Sequence, residues 1–348
     1  METPEKTRVA VVFGGGSTEH AVSSVGAADL LDALDTDEFE IVPIGVTREG
    51  RWVLSGAARS DGPSADLVPS GAAVTVVDAR DGVARLGGID VVFPVLQGVF
   101  GDEGTLQGLL EMADLPYVGS GVLAASVAMD HDFSRKLVAA AGLPVAPYVV
   151  LSGTPDVVAA DRARLGLPVV VRPARGTGGM TEVTDWAALP EAVAAARAVD
   201  AKVVVAAAPA GRRITVGVLD TGATDGPGAT GGSSATGGSG ATGRPEASVP
   251  GEVGGDRVVA PADLDHAVER RVRDLAVEAF VTLDCAGLAM VECTVTPDGE
   301  VFFDRIDTMP GFDPGAPFPV VWQASGVAYQ MLISRLVKAA VRRGTGLH

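Results

Sequence analysis

The stretch VFFDRIDTMPG, residues 301–311, sets charges into an otherwise apolar strand. Strict alternation along a strand puts Phe303, Arg305 and Asp307 on one face and Phe302, Asp304 and Ile306 on the other. A guanidinium and a carboxylate would then sit side by side, just ahead of a turn on Pro310-Gly311. A second candidate is FGGGSTEH, residues 13–20, a glycine-rich passage from strand to helix. Its backbone N–H groups could hold an anion at a helix N-terminus, and a tight structural turn is an equally good account of it. Cys285 and Cys293 have no second Cys or His at metal-ligand spacing. They read as buried free thiols.

The elements that must position these residues alternate in type. Strands RVAVVF, FEIVPIGVT and DVVFPVL are separated by helical patterns near residues 20–34, and a further helical pattern follows near TLQGLLEMA. That order predicts an α/β unit with a parallel sheet. A helix over 129–141 stops at Gly142. The strands PYVVL, LPVVVRP and AKVVVAAA, with a helix over 187–198, predict a smaller α+β unit. Beyond residue 258 the pattern predicts a helix over 263–281, a hairpin about Pro297-Asp298-Gly299 and a terminal helix over 326–342. Residues 221–244 are Gly, Ser, Thr and Ala almost throughout and are expected to be a disordered insertion.

The 348 residues, 47% of them hydrophobic, suffice for two or three domains with cores. A net charge of −17 opposes binding to nucleic acid or to an anionic membrane. No apolar run approaches the ~18 residues of a membrane span. The N-terminus enters a strand without signal-peptide architecture, so a cytoplasmic protein is expected.

The segment DVVFPVLQGVFGDEGTLQGLLEMADLPYVGSGVLAASVAMD, residues 90–130, resembles the D-alanine–D-alanine ligases of the ATP-grasp superfamily. So do GGGSTEHAVS near the start, AAGLPVAPYVVL (140–151), ASVPGE (247–252) and DTMPGF (307–312). The resemblance implies an α/β ATP-grasp fold. A Rossmann-like parallel-sheet domain would span 1–125, a central α+β subdomain 126–216 and a C-terminal α+β domain 217–348. It also implies a reaction: Mg-ATP converts one D-alanine carboxylate to an acyl phosphate, and the amine of a second D-alanine attacks it. That chemistry needs cations on the phosphates, oxygen ligands for magnesium, an oxyanion donor and exclusion of water.

By the same resemblance, several positions keep a family residue or its charge. Glu19 matches the glutamate that binds the first D-alanine amine, and Gly311 retains a substrate-binding position. Arg172 retains the charge of a phosphate-binding lysine, while Glu292 and Asp307 retain metal-ligand positions. Others depart from the pattern. Arg305 replaces the bridging glutamate, and Met290 the arginine on the partner strand. His131 replaces the other phosphate lysine. Ala206 and Arg213 replace the glutamates for adenine and ribose. Gln97 stands where the second-substrate preference is set, and Ala316 where a serine anchors the substrate carboxylate. The family's mobile lid is missing after ASVPGE. A unit positive charge ~4 Å from a divalent ion costs about 8 kcal/mol at an effective dielectric of ~20, before relaxation.

These changes fall on separate segments, and each removes a contact to ATP, metal or substrate. They lead to the expectation of a homologue that has lost ligase activity and acts by binding. Its partner would be an amino-acid-like ligand, a second copy of itself or an active family member. The alternative is an active ATP-grasp ligase that joins D-alanine or another amino acid. Mg-ATP is expected as cofactor under that alternative alone.

Overall fold

The computed structural model describes residues 6–14, 20–47, 52–54, 88–96, 98, 101–153, 156–176, 178–220, 244–255 and 257–345. Glu19, Gln97 and all of the low-complexity tract except Arg244 lie outside them.

The first sheet comprises β1 (Thr7–Gly14), β2 (Phe39–Val46), β3 (Trp52–Leu54) and β4 (Val91–Pro94), in the order β3-β2-β1-β4. β1 runs parallel to both β2 and β4, and β3 is an antiparallel edge. Residues 9–14 of β1 and all of β4 are buried, as a sheet covered on both faces requires. Helix α1 (His20–Ala33) follows β1, and α2 (Thr105–Met112) follows β4. Next come α3 (Val122–Met129) and α4 (His131–Ala140). The helical pattern expected from residue 129 is thus the second of two helices. The first, VLAASVAM, has no polar face from which a period could be read.

The second sheet is antiparallel, in the order β5-β8-β6-β7. Its strands are β5 (Tyr148–Ser152), β6 (Val169–Pro173), β7 (Thr181–Val183) and β8 (Lys202–Ala207). Helices α5 (Ala159–Leu165) and α6 (Leu189–Arg197) belong to this unit. The third sheet runs β12-β11-β9-β13-β14, with β10 also paired to β9. It is built from β9 (Arg212–Asp220), β10 (Glu246–Ala247), β11 (Gly251–Gly254), β12 (Arg257–Val259), β13 (Gly287–Val295) and β14 (Val301–Asp307). Helix α7 (His266–Thr282) packs on it, and α8 (Pro317–Ala324) and α9 (Tyr329–Arg343) close the chain.

One apolar cluster joins the first and third sheets. Val11, Phe13 and Phe93 meet Leu288, Phe312, Phe318, Trp322 and Leu336. Phe93 packs edge-on against Phe312 at 5.0 Å, and Phe312, Phe318 and Trp322 continue the aromatic series. Gly217 on β9 lies beneath it, and a Cβ there would meet Trp322 Nε1 at 2.6 Å and Phe318 Cε2 at 3.2 Å. No helix among the described residues is long and apolar enough to cross a membrane.

Gly217→Ala should therefore destabilise the protein by about 1–3 kcal/mol through overpacking, measured by urea unfolding at neutral pH. Gly142→Ala is the comparison, since a Cβ there has nothing within 4 Å and meets only the strain of φ +85°.

Candidate active site

The charged strand departs from strict alternation. β13 and β14 pair Glu292 with Arg305 and Cys293 with Phe303, which leaves Asp304 as an extra residue in a bulge. Phe303 and Ile306 consequently share one buried core, with Val301. The expected grouping of Phe303 with Arg305 and Asp307 is thus corrected, because the bulge shifts the phase of every residue after Asp304.

Arg305 lies directly opposite Glu292, and its Nη2 donates to Glu292 Oε1 at 2.5 Å. Arg213, on β9, brings a second guanidinium to 3.9 Å from Glu292 Oε2. Burial pulls the Arg305 pKa down, but Glu292 and the nearby Asp307 and Asp304 outweigh it and hold the guanidinium firmly charged. Asp307 Oδ1 accepts from the Met309 N–H at 2.9 Å. Burial raises the Asp307 pKa, with Arg305 opposing the shift.

Asp304 faces two other cations. Arg135 on α4 and Arg172 on β6 both donate to its Oδ1, the latter at 3.1 Å. Arg135 is buried, with 2% of its side chain exposed, and lies 5.8 Å from the Tyr148 ring centre. Burial favours protonation of Asp304, yet the two guanidiniums overcome it and hold the carboxyl below its usual range. Arg172, expected to keep charge for a phosphate, is therefore engaged by a carboxylate. Its Nε, with Nε and Nη1 of Arg135 and Nδ1 of His131, has no partner among the described residues. His131 opens α4 beside this cluster. Burial, then Arg172, Arg135 and Arg305, drive its pKa down to about 3, so it is neutral.

Asp130 caps α4 by accepting from the Asp132 and Phe133 N–H groups, and Lys202 Nζ lies 2.5 Å from it. Lys202 and Arg135 were not singled out by sequence reasoning. Neither carries a local signal, because each gains its partner only through folding. Met290 is buried in the shared core, Ala206 in β8 between Tyr148 and Val170, and Ala316 at the start of α8. Gly311 is half-buried beside Phe312. Past β12 only residues 260–265 precede α7, leaving little chain for a lid. Both cysteines are free and buried, with thiols pushed up to about 12 by burial.

The family model described as "D-ala D-ala ligase N-terminus" matches residues 8–120, and the one described as "D-ala D-ala ligase C-terminus" matches 137–338. The chain belongs to the D-alanine–D-alanine ligase family. A relative named D-alanine--D-alanine ligase from Nocardia farcinica is 45% identical, over 98% of this chain and 99% of its own length. One of the same name from Frankia casuarinae is 42% identical, over 98% of each. Among solved structures, the VanG D-Ala:D-Ser ligase of Enterococcus faecalis superposes with a TM-score of 0.79. It is 25% identical, covering 97% of this chain and 100% of its own. The ATP-grasp architecture of the D-alanine–D-alanine ligases is the fold described above.

At the positions that the resemblance assigns to magnesium, the side chains do not fit a divalent cation. Glu292 is held by Arg305, and Asp307 Oδ1 is taken by a backbone N–H. No group of three or more acidic, His or Cys residues with metal-binding geometry occurs among the described residues.

Two predictions test this cluster. Asp304→Ala should cost about 3–5 kcal/mol in urea unfolding, because Arg135 stays buried without its partner. Adding Arg135→Met should recover part of that loss. His131 should make the protein acid-sensitive. Between its ordinary value of 6.5 and about 3 the unfolded chain takes up a proton that the folded one refuses, so stability falls as pH falls through that window. From pH 7 to pH 5 the loss should be about 2 kcal/mol, and His131→Asn should remove it. Asp304 acts lower down: its contribution is present above its ordinary value and fades as pH falls through its depressed one.

Proposed function

We propose that the chain works in the reaction class for which its relatives are named, the ATP-dependent joining of an amino-acid carboxylate to an amine. The observation that carries this reading is kinship over the full length, 45% identity across 98% of the chain. It supports ligation better than it supports the loss of activity expected from the substituted residues. The substrates would be D-alanine or another small amino acid, bound in the cleft beside β14. Arg172 and Arg305 would supply positive charge to nucleotide phosphates there.

A second reading is favoured by one specific observation, the seating of Arg305 on Glu292. A chain in which that pair also kept the nucleotide out would keep the scaffold but not turnover. It would then act by binding an amino-acid-like ligand, a second copy of itself or an active family member.

Titration calorimetry with ATP and magnesium, followed by phosphate release with D-alanine, separates the two. The first reading expects binding and D-alanine-dependent phosphate release above background, with an active family member as control. Absence of binding at millimolar nucleotide would refute it. Under the second reading Arg305→Glu alone does not restore turnover, since Met290, Ala206 and Ala316 still replace substrate and nucleotide contacts. Measurable ligation by that variant would count against it.

A further inference from the structure

The residues at the magnesium positions disagree with magnesium, and the disagreement has a definite form. Three carboxylates stand on the β13–β14 pair: Glu292, Asp304 and Asp307. Glu292 has a guanidinium near each oxygen, Arg305 at 2.5 Å and Arg213 at 3.9 Å. Asp304 is turned by the bulge onto Arg135 and Arg172. Asp307 accepts from Met309 and lies in the field of Arg305. Four guanidiniums therefore stand against three carboxylates, and a divalent ion would add two positive charges to a group already in excess. An ion also needs free oxygens in numbers, and here Glu292 Oε1 and Asp307 Oδ1 are already engaged.

We propose that the Arg305 guanidinium takes the place of the divalent cation, making this cleft metal-independent. The position is cross-strand from Glu292, so the cation is built into the ladder and needs no recruitment from solvent. Side chains of this kind bridge acidic groups through directed N–H donors, where an ion would gather oxygens evenly. The inference concerns the cation alone and holds under either reading of turnover.

Manganese, a paramagnetic probe for divalent sites, tests it on the full chain. Its EPR signal is followed during titration of the wild type, Glu292→Gln, Arg305→Glu and the double variant Arg305→Glu/Glu292→Gln. Wild type should leave the free-ion spectrum unchanged through millimolar manganese, and magnesium should leave its melting temperature unchanged. Arg305→Glu should bind one equivalent about tenfold or more tighter, by adding an anionic ligand and removing the cation, and the double variant should lose that gain. Two results would overturn the proposal. One is a wild-type manganese site abolished by Glu292→Gln, which would mean that Arg305 moves aside for the ion. The other is a folded Arg305→Glu chain with no manganese uptake. Should Arg305→Glu fail to fold, the wild-type titration and its Glu292→Gln control still decide.

Discussion

A single carboxylate, Asp304, holds the cleft together. It sits on the C-terminal sheet and receives one guanidinium from the helix before the central sheet and another from within that sheet. The backbone reinforces the junction, since Phe303 donates to the Pro144 carbonyl at 2.8 Å just beyond α4. Charge and ladder together set the distance between the two walls. The helix start at His131, the end of β6 and the charged edge of β14 all take their places from this contact. Buried charge of this sort specifies an arrangement more than it stabilises one, because desolvation offsets much of the attraction.

The departure of Asp304 from regular pairing explains how one strand serves two clusters. In an unbroken ladder Asp304 and Arg305 would point to opposite faces. The inserted residue brings both to the cleft while Phe303 and Ile306 stay in the core. Arg305 then meets Glu292, and Asp304 meets Arg135 and Arg172. The result is a continuous ionic layer over an apolar floor, with a neutral histidine at its margin.

Much of this was legible in the sequence. The parallel first sheet follows from RVAVVF and DVVFPVL, the terminal helix from its apolar spacing, and the hairpin from Pro297-Asp298-Gly299. What was legible ends at the hairpin, for its regular pairing would set Glu292 opposite Asp304 and not opposite Arg305. The bulge was not legible, because no glycine or proline marks it, and with it went the true partner of Asp304. Arg135 reads as an ordinary polar position on a helix, and only the arrival of β14 makes it a buried cation. Helix α3 escaped because its residues are small or apolar on every side. Glu19 and Gln97 lie outside the described residues.

The aromatic series from Phe93 through Phe312 and Phe318 to Trp322 has a consequence for how the molecule comes apart. The first and third sheets share one core, so neither can melt without stripping cover from the other, and they form one cooperative folding unit. The central sheet has a core of its own, around Leu151, Val171 and Val205. Ion pairs from its inner strands join it to the rest, Arg172 on β6 to Asp304 and Lys202 on β8 to Asp130. Breathing motions of the native state therefore concentrate at the ionic seam, and amide exchange in β5 to β8 need not wait for global unfolding.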